Sequence, residues 1–316
     1  MRWGILGCGD VTEVKSGPAL QKADRSTISA VMRRDGAKAE DYARRHGVQR
    51  WYDDANALIA DDTVDAVYVA TPPDSHEDLT MRVLAARKPV FCEKPLALSV
   101  AECVRMDNAA KAADVPLIVA YYRRALPRFE RMREIVQNGT IGTPRAVLAN
   151  QWKRATDLPQ EAWKLDPAVS GGGHFADMYS HALDWLDHVF GPARSVSGFT
   201  DSQSDAYGAE DLVTFTIDQN GVPVSGLCSY AADRDEDRLT VIGDKGRVSM
   251  AFFAASPVRV ETLDGTLEQN HPDPPHVHQP LIERIIACLL DGAPNPCDAG
   301  TAIRAVRTVE TIYAKA

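Results

Sequence analysis

Short apolar runs alternate with stretches of helical periodicity from the N-terminus to residue 121. The runs predict strands at Arg2–Leu6, Thr27–Met32, Val64–Ala70, Val90–Cys92 and Leu117–Ala120. Several are unbroken rather than alternating, as expected of strands buried on both faces of a parallel sheet. Helices are predicted over Asp35–His46, ended by Gly47, and over His76–Ala86. Ser99-Val100-Ala101-Glu102 reads as a capping box opening a helix that runs to Ala113. Strand–helix alternation of this kind predicts a doubly wound α/β domain over residues 1–121.

The texture changes in residues 122–316. Arg128–Gln137 is predicted helical and ends at Asn138-Gly139; Ala176–Phe190 is predicted helical and ends at Gly191-Pro192. Hairpin signals then dominate. Asn220-Gly221 separates Leu212–Asp218 from Val222–Tyr230, Asp244-Lys245-Gly246 separates Leu239–Ile242 from Arg247–Phe252, and Asp264-Gly265 closes Val258–Leu263. These strands predict an open, mostly antiparallel sheet in an α+β second domain. Two helices follow, Leu281–Leu290 and Ala299–Ala314. Between sheet and helices, Asn270–Pro280 reads as a solvent-exposed loop, with His271, His276 and His278 in it.

A chain of 316 residues suits two domains and needs no disulfide staples. Lys and Arg total 35 against 44 for Asp and Glu, a net charge of −9, which disfavours nucleic acid and anionic membranes as partners. No apolar run reaches the ~20 residues of a membrane helix. The N-terminus enters a strand at once, without the pattern of a signal peptide. The six cysteines are scattered with no C-x-x-C pair, which suits reduced thiols in a cytoplasm and no zinc site.

Gly7-Cys8-Gly9 follows the first strand directly. Glycines there let backbone approach a pyrophosphate lying on the amides of a helix N-terminus, which makes Gly7, Gly9, Asp10 and Val11 cofactor-binding candidates. Thr12 stands where the dinucleotide fingerprint has its third glycine, so the helix is expected to pack slightly farther from its strand. At the end of the second strand an acidic residue would grip the ribose diol, but the chain has Met32-Arg33-Arg34. Guanidinium groups suit a 2′-phosphate, so NADP is expected over NAD, with NAD possible. The plainer reading is two solvated arginines before an Asp35 N-cap.

Three further segments carry chemistry. Thr71, Pro72 and His76 lie in a loop at the carboxyl edge of the sheet, where ligands bind. Glu93-Lys94-Pro95 follows the strand Val90–Cys92 and puts a lysine at the same edge, either to polarise a substrate oxygen or as half of a surface pair. Gly171-Gly172-Gly173 forms a loop able to lie against a ligand. Asp177 and His181 follow it four residues apart, on one helix face. They are either a solvated pair or a substrate-holding carboxylate beside a general base. Asp184 and His188 extend the stripe, but no metal-ligand spacing is present and no metal is expected.

In this order and spacing, Gly7-Cys8-Gly9, the Ala70–His76 loop, Glu93-Lys94-Pro95 and Gly171–Gly173 with Asp177 and His181 resemble the Gfo/Idh/MocA oxidoreductase family. The resemblance spans nearly the whole chain, to the terminal helix around Ala302–Ala316. It implies an N-terminal Rossmann domain, and a C-terminal domain whose open sheet face makes homodimers or homotetramers. It also implies hydride transfer between NAD(P) and a secondary hydroxyl or ketone of a sugar, cyclitol or sugar derivative. By position, Lys94 would touch the reacting oxygen, His181 would be the general acid/base and Asp177 would hold the adjacent hydroxyl. Pro95 is where relatives bend the chain, often through a cis peptide. Glu93 and Lys94 would also border the cofactor. Tyr121, Tyr122 and Arg123 would border the sugar, and Trp152 and Trp163 would shape its pocket, with Lys153 or Arg154 available to an acidic sugar.

The same parts serve two other functions. Some relatives cleave glycosides by transient oxidation and elimination, which would make the chain an NAD(P)-dependent glycoside hydrolase with no net redox change. A non-catalytic nucleotide or sugar sensor would have no use for Lys94, Asp177 and His181 together.

Overall fold

The computed structural model describes residues 1–154, 162–204 and 208–314. Chain contacts divide it into two compact units. The first comprises Met1–Arg123 and Pro274–Ile303, and the second Arg124–Asp273 with the chain from Arg304 onward. A single boundary between 121 and 122 is the expectation from sequence; the first unit also takes in the thirty residues Pro274–Ile303 from the C-terminal part.

The first unit holds a parallel sheet of β1 (Arg2–Leu6), β2 (Thr27–Met32), β3 (Arg50–Tyr52), β4 (Ala66–Val69), β5 (Val90–Cys92) and β6 (Leu117–Val119). Their order is β3-β2-β1-β4-β5-β6, the doubly wound Rossmann arrangement that reverses direction beside β1. The unbroken apolar runs are buried as their pattern requires: every residue of β4, β5 and β6 is buried. Asp35 caps the helix Gly36–His46 by accepting from Lys38 N. Ser99 caps Val100–Ala113 by accepting from Glu102 N, while the Glu102 carboxylate accepts from Leu98 N, one residue before the cap.

Residues 274–303 complete this unit. The helix Gln279–Asp291 packs against Ser16–Lys22, Arg25 forks onto Asp291 at 2.8 and 2.6 Å, and the His276 ring meets the Val14 carbonyl. The predicted exposed loop is corrected here. His278 is 1% exposed, and most of 274–280 is half-buried because this part of the loop is packed into the first unit rather than lying in solvent.

The second unit holds β7 (Pro144–Arg154), β8 (Ala193–Asp201), β9 (Leu212–Gln219), β10 (Val222–Ala232), β11 (Glu236–Gly243), β12 (Gly246–Met250), β13 (Val258–Thr262) and β14 (Gly265–Gln269). Their order is β14-β13-β12-β11-β7-β10-β9-β8. Neighbours run antiparallel except β7 and β10. The predicted turns at Asn220-Gly221, Asp244-Lys245 and Asp264 close three hairpins. Strict alternation along β7 buries Val147, Ala149 and Gln151 and leaves Leu148 on the other face. On the buried face Phe175 and Tyr179 pack on Phe215. Gly226 makes room for that ring, since a Cβ there would stand 2.0 Å from Phe215 Cζ. The predicted helix Ala176–Phe190 is in two parts: a π-helical turn, Phe175–Tyr179, and an α-helix, Ser180–Phe190.

Candidate active site

At the end of β1 the backbone turns through Gly7 at φ +90°. A Cβ on Gly7 would stand 2.7 Å from Thr71 Cγ2 and 3.0 Å from the Ala70 carbonyl, so only glycine fits between the β1 and β4 edges. The Gly7 and Cys8 amides donate to the Met32 carbonyl at 2.9 and 3.1 Å, which ties this turn to the end of β2. Gly9 is the N-cap of the helix Asp10–Val14, and no side chain caps it. A glycine turn running into an uncapped first turn fits a dinucleotide pyrophosphate. Thr12 is fully buried and its hydroxyl donates back to the Gly9 carbonyl at 2.7 Å. The close contact of this segment falls instead at Gly17, where a Cβ would lie 2.1 Å from the Thr12 carbonyl. The helical segment breaks at Lys15 before Ser16–Lys22.

Arg33 is half-buried and donates to the Cys8 carbonyl at 3.3 Å, which lays its guanidinium over the glycine turn; Arg34 is exposed. Thr71 and Pro72 are half-buried at the β4 edge. His76 is not: it has no exposed surface, and its ring nitrogens face the Thr71 and Pro95 carbonyls at 2.8 and 3.0 Å. Burial lowers its pKa. Its place is between two loops.

At the β5 edge the Lys94–Pro95 peptide is cis. Lys94 is half-buried, and its own backbone N–H donates to Glu93 Oε2 at 3.1 Å. Glu93 is 8% exposed; its Oε1 accepts from the Tyr68 hydroxyl at 2.6 Å and from His278 Nε2 at 3.2 Å. Burial would push this carboxyl up, but those hydrogen bonds and the His278 and Lys94 charges outweigh it and hold it well below the usual carboxylate range. Glu93, a cofactor candidate by sequence, is thus engaged beneath Lys94. Beyond β6, Tyr121 is fully buried, the Tyr122 ring packs against His278 at a tilt of 32° with ring centres 4.3 Å apart, and the Arg123 guanidinium lies over Tyr122.

In the second unit Gly171 is the left-handed C-cap of the helix Pro167–Ser170, and Gly172 and Gly173 sit in close packing within the fold. A Cβ on Gly172 would meet the Tyr313 hydroxyl at 2.5 Å. Gly173 N donates to both Glu210 carboxylate oxygens at 2.9 and 3.0 Å, and Tyr313 donates to Glu210 at 2.6 Å. This clamp leads into the π-turn that carries Asp177, half-buried, with His181 (5% exposed) just beyond it in the α-helix. Single π-turns interrupt the regular α ladder and concentrate at functional sites.

His174, not singled out from the sequence, is 1% exposed and lies 5.3 Å from the Tyr230 ring. Burial lowers its pKa, assisted by the Lys164 charge and opposed by Asp177. Lys164 in turn sits 5.4 Å over the Trp163 ring. Trp163, Lys164, His174 and Asp177 therefore share one neighbourhood. Strand alternation turns Trp152 to the face opposite Gln151, whereas Phe175, Tyr179 and His174 pack on Gln151's side. Lys153 pairs with Asp235.

Asp184, three residues after His181, is 2% exposed and pairs with both Arg124 Nε, at 3.0 Å, and Nη2. Burial pushes its carboxyl up to about 6 against the opposing Arg124 charge. Asp187 takes a fork from Arg304, two bonds of 2.7 Å. Among the described residues no group of three or more His, Cys, Asp or Glu is placed to hold a metal ion.

A Rossmann unit with a glycine turn, followed by a unit with an open sheet, defines a dinucleotide-dependent oxidoreductase. The model described as "Oxidoreductase family, NAD-binding Rossmann fold" matches residues 1–121, and that of the GFO/IDH/MocA C-terminal domain matches 129–249. The chain belongs to the Gfo/Idh/MocA oxidoreductase family. It is 37% identical over 302 residues to "Oxidoreductase P35" of Formosa agariphila, covering 94% of this chain and 93% of that one. It is 30% identical over 276 residues to myo-inositol 2-dehydrogenase of Thermotoga maritima, covering 85% and 79%. An oxidoreductase from Agrobacterium radiobacter, solved with NAD+, L-tartaric acid and magnesium, shares the fold with a TM-score of 0.90 at 21% identity, covering 100% of this chain and 96% of its own.

Proposed function

We propose that the chain interconverts a secondary hydroxyl and a ketone on a sugar, cyclitol or related polyol, with NADP preferred over NAD. The observation that carries this is family membership in a chain that carries Lys94 at the β5 edge and Asp177 and His181 around a π-turn. Similarity to a myo-inositol 2-dehydrogenase supports a cyclic polyol. NAD(P) supplies the hydride acceptor or donor. Lys94 hydrogen-bonds the reacting oxygen, and Asp177 holds the neighbouring hydroxyl. His181 takes the hydroxyl proton on oxidation and returns it on reduction.

Gly7, Gly9, Asp10 and Val11 hold the pyrophosphate, with Thr71 and Pro72 bordering the cofactor. Preference for NADP is supported by Arg33 lying over the glycine turn and by Met32 where a ribose-binding carboxylate would stand. A homodimer or homotetramer through the open sheet is supported by Phe199 and Leu148, 52% and 48% exposed on it; sedimentation of Leu148→Lys against the parent checks it. No helix among the described residues is long and apolar enough to cross a membrane. Six free cysteines, five of them buried, support a cytoplasmic location.

The test is incubation with a panel of sugars, cyclitols and glycosides plus NADP or NAD, weighing products by mass spectrometry. A product two hydrogens lighter, formed in step with reduced nicotinamide, is expected. Cleavage of a glycoside with no net nicotinamide change would overturn the reading in favour of redox-assisted hydrolysis.

A further inference from the structure

His278 reaches Glu93 across 185 residues of sequence. A carboxylate only accepts hydrogen bonds, so at 3.2 Å from Glu93 Oε1 the His278 Nε2 carries the hydrogen. The other nitrogen, Nδ1, is buried with no hydrogen-bond partner among the described residues. The ring packs, tilted by 32°, against the Tyr122 ring at 4.3 Å between centres. One buried imidazole therefore touches the segment following β5, which carries Lys94, and the segment following β6, which carries Tyr121 to Arg123. The other Glu93 oxygen holds the Lys94 backbone N–H, and Tyr68, fully buried, completes the set.

We infer that His278 is a positioning residue for the oxidoreductase reaction: through Glu93 it fixes the backbone from which Lys94 is presented, and through Tyr122 it sets that backbone against the β6 segment. Coulomb attraction alone would leave Glu93 free to rotate in its pocket. Three donors from three elements (Tyr68 of β4, His278 of the returning segment and the Lys94 amide) define a single carboxylate plane. A buried carboxylate satisfied by donors of this kind rigidifies the segment that carries it.

This inference rests on the role proposed for Lys94, and its test separates the two. The full-length protein is treated with trinitrobenzenesulfonate, and the labelling rates of Lys94 and of exposed Lys245 are read by peptide mass spectrometry. In His278→Leu the Lys94 rate is expected to rise about threefold or more, the size of a broken local coupling, with Lys245 unchanged. His278→Gln, which keeps an N–H donor near the position of Nε2, is expected to restore the parent rate. A Lys94 rate unmoved in folded His278→Leu, or not restored by His278→Gln, overturns the inference. Should His278→Leu fail to fold, His278→Asn, whose shorter amide does not reach Glu93, replaces it against His278→Gln with the same two outcomes. Lys94→Ala is run through the sugar panel in parallel; turnover that survives it overturns the role of Lys94 itself, whatever the labelling shows.

Discussion

Replacing Arg124 by leucine isolates one buried negative charge. Arg124 and Asp184 are 5% and 2% exposed, so removing the guanidinium strands a carboxylate with almost no water to solvate it. Breaking a buried pair from one side costs about 3–5 kcal/mol. Burial already pushes Asp184 up to about 6 with Arg124 present, and without that charge its pKa climbs further. Its folded pKa then lies far above the unfolded value of about 3.9, so the folded state binds the extra proton. The sign follows: the penalty is small below the unfolded value and grows as pH rises, until the folded pKa is passed. Urea unfolding of Arg124→Leu and the parent at pH 5 and pH 8 checks this, with the larger loss expected at pH 8. Arg124→Leu combined with Asp184→Leu is expected to recover most of the loss, because an apolar pair of similar bulk is tolerated where a lone charge is not. Equal losses at the two pH values, or a double variant no better than the single one, would refute the reasoning.

Arg33→Ala is expected to weaken NADP by about tenfold or more, the worth of a charge-assisted hydrogen bond, and NAD far less; fluorescence titration with both cofactors checks it. His181→Ala is expected to lose about 10²–10⁴-fold in turnover while keeping cofactor affinity, measured by steady-state rates beside the same titration. Gly226→Ala drives a methyl to within 2.0 Å of the Phe215 ring and is expected to cost about 1–3 kcal/mol by overpacking, read as a lowered urea midpoint.

The parallel sheet was legible because its strands β4, β5 and β6 are apolar throughout, a pattern that survives without knowledge of neighbours. Asp35 and Ser99 announced their helices because a cap acts on residues two or three positions away. β3 was not read, since Arg50-Trp51-Tyr52 is a three-residue edge strand carrying little apolar signal. β7 was missed for a different reason. Its burial alternates across an open sheet, but Arg145, Asn150, Gln151, Lys153 and Arg154 fall on both faces, so its polar residues do not follow a period of two. The π-turn under Asp177 is a matter of one inserted residue in the helical ladder, which periodicity over so short a span does not resolve. Among the site residues, Lys94, Asp177 and His181 stood out by motif. His174 had only its place after three glycines as a signal. His278 had none, because its partner Glu93 lies far away in sequence and the surrounding prolines suggested a solvated loop.

The return of Pro274–Ile303 to the first unit also sets a timetable. Domains generally fold as units in the order of their synthesis, at about 5–20 residues per second. Here the unit that begins the chain lacks the helix Gln279–Asp291 until the whole stretch Arg124–Asp273 has been made. The apolar surface of Ser16–Lys22 that this helix covers stays open on the nascent chain for that interval. A fragment ending at residue 121 would carry the same bare surface permanently. The nucleotide-binding unit is thus the first to begin and among the last to close.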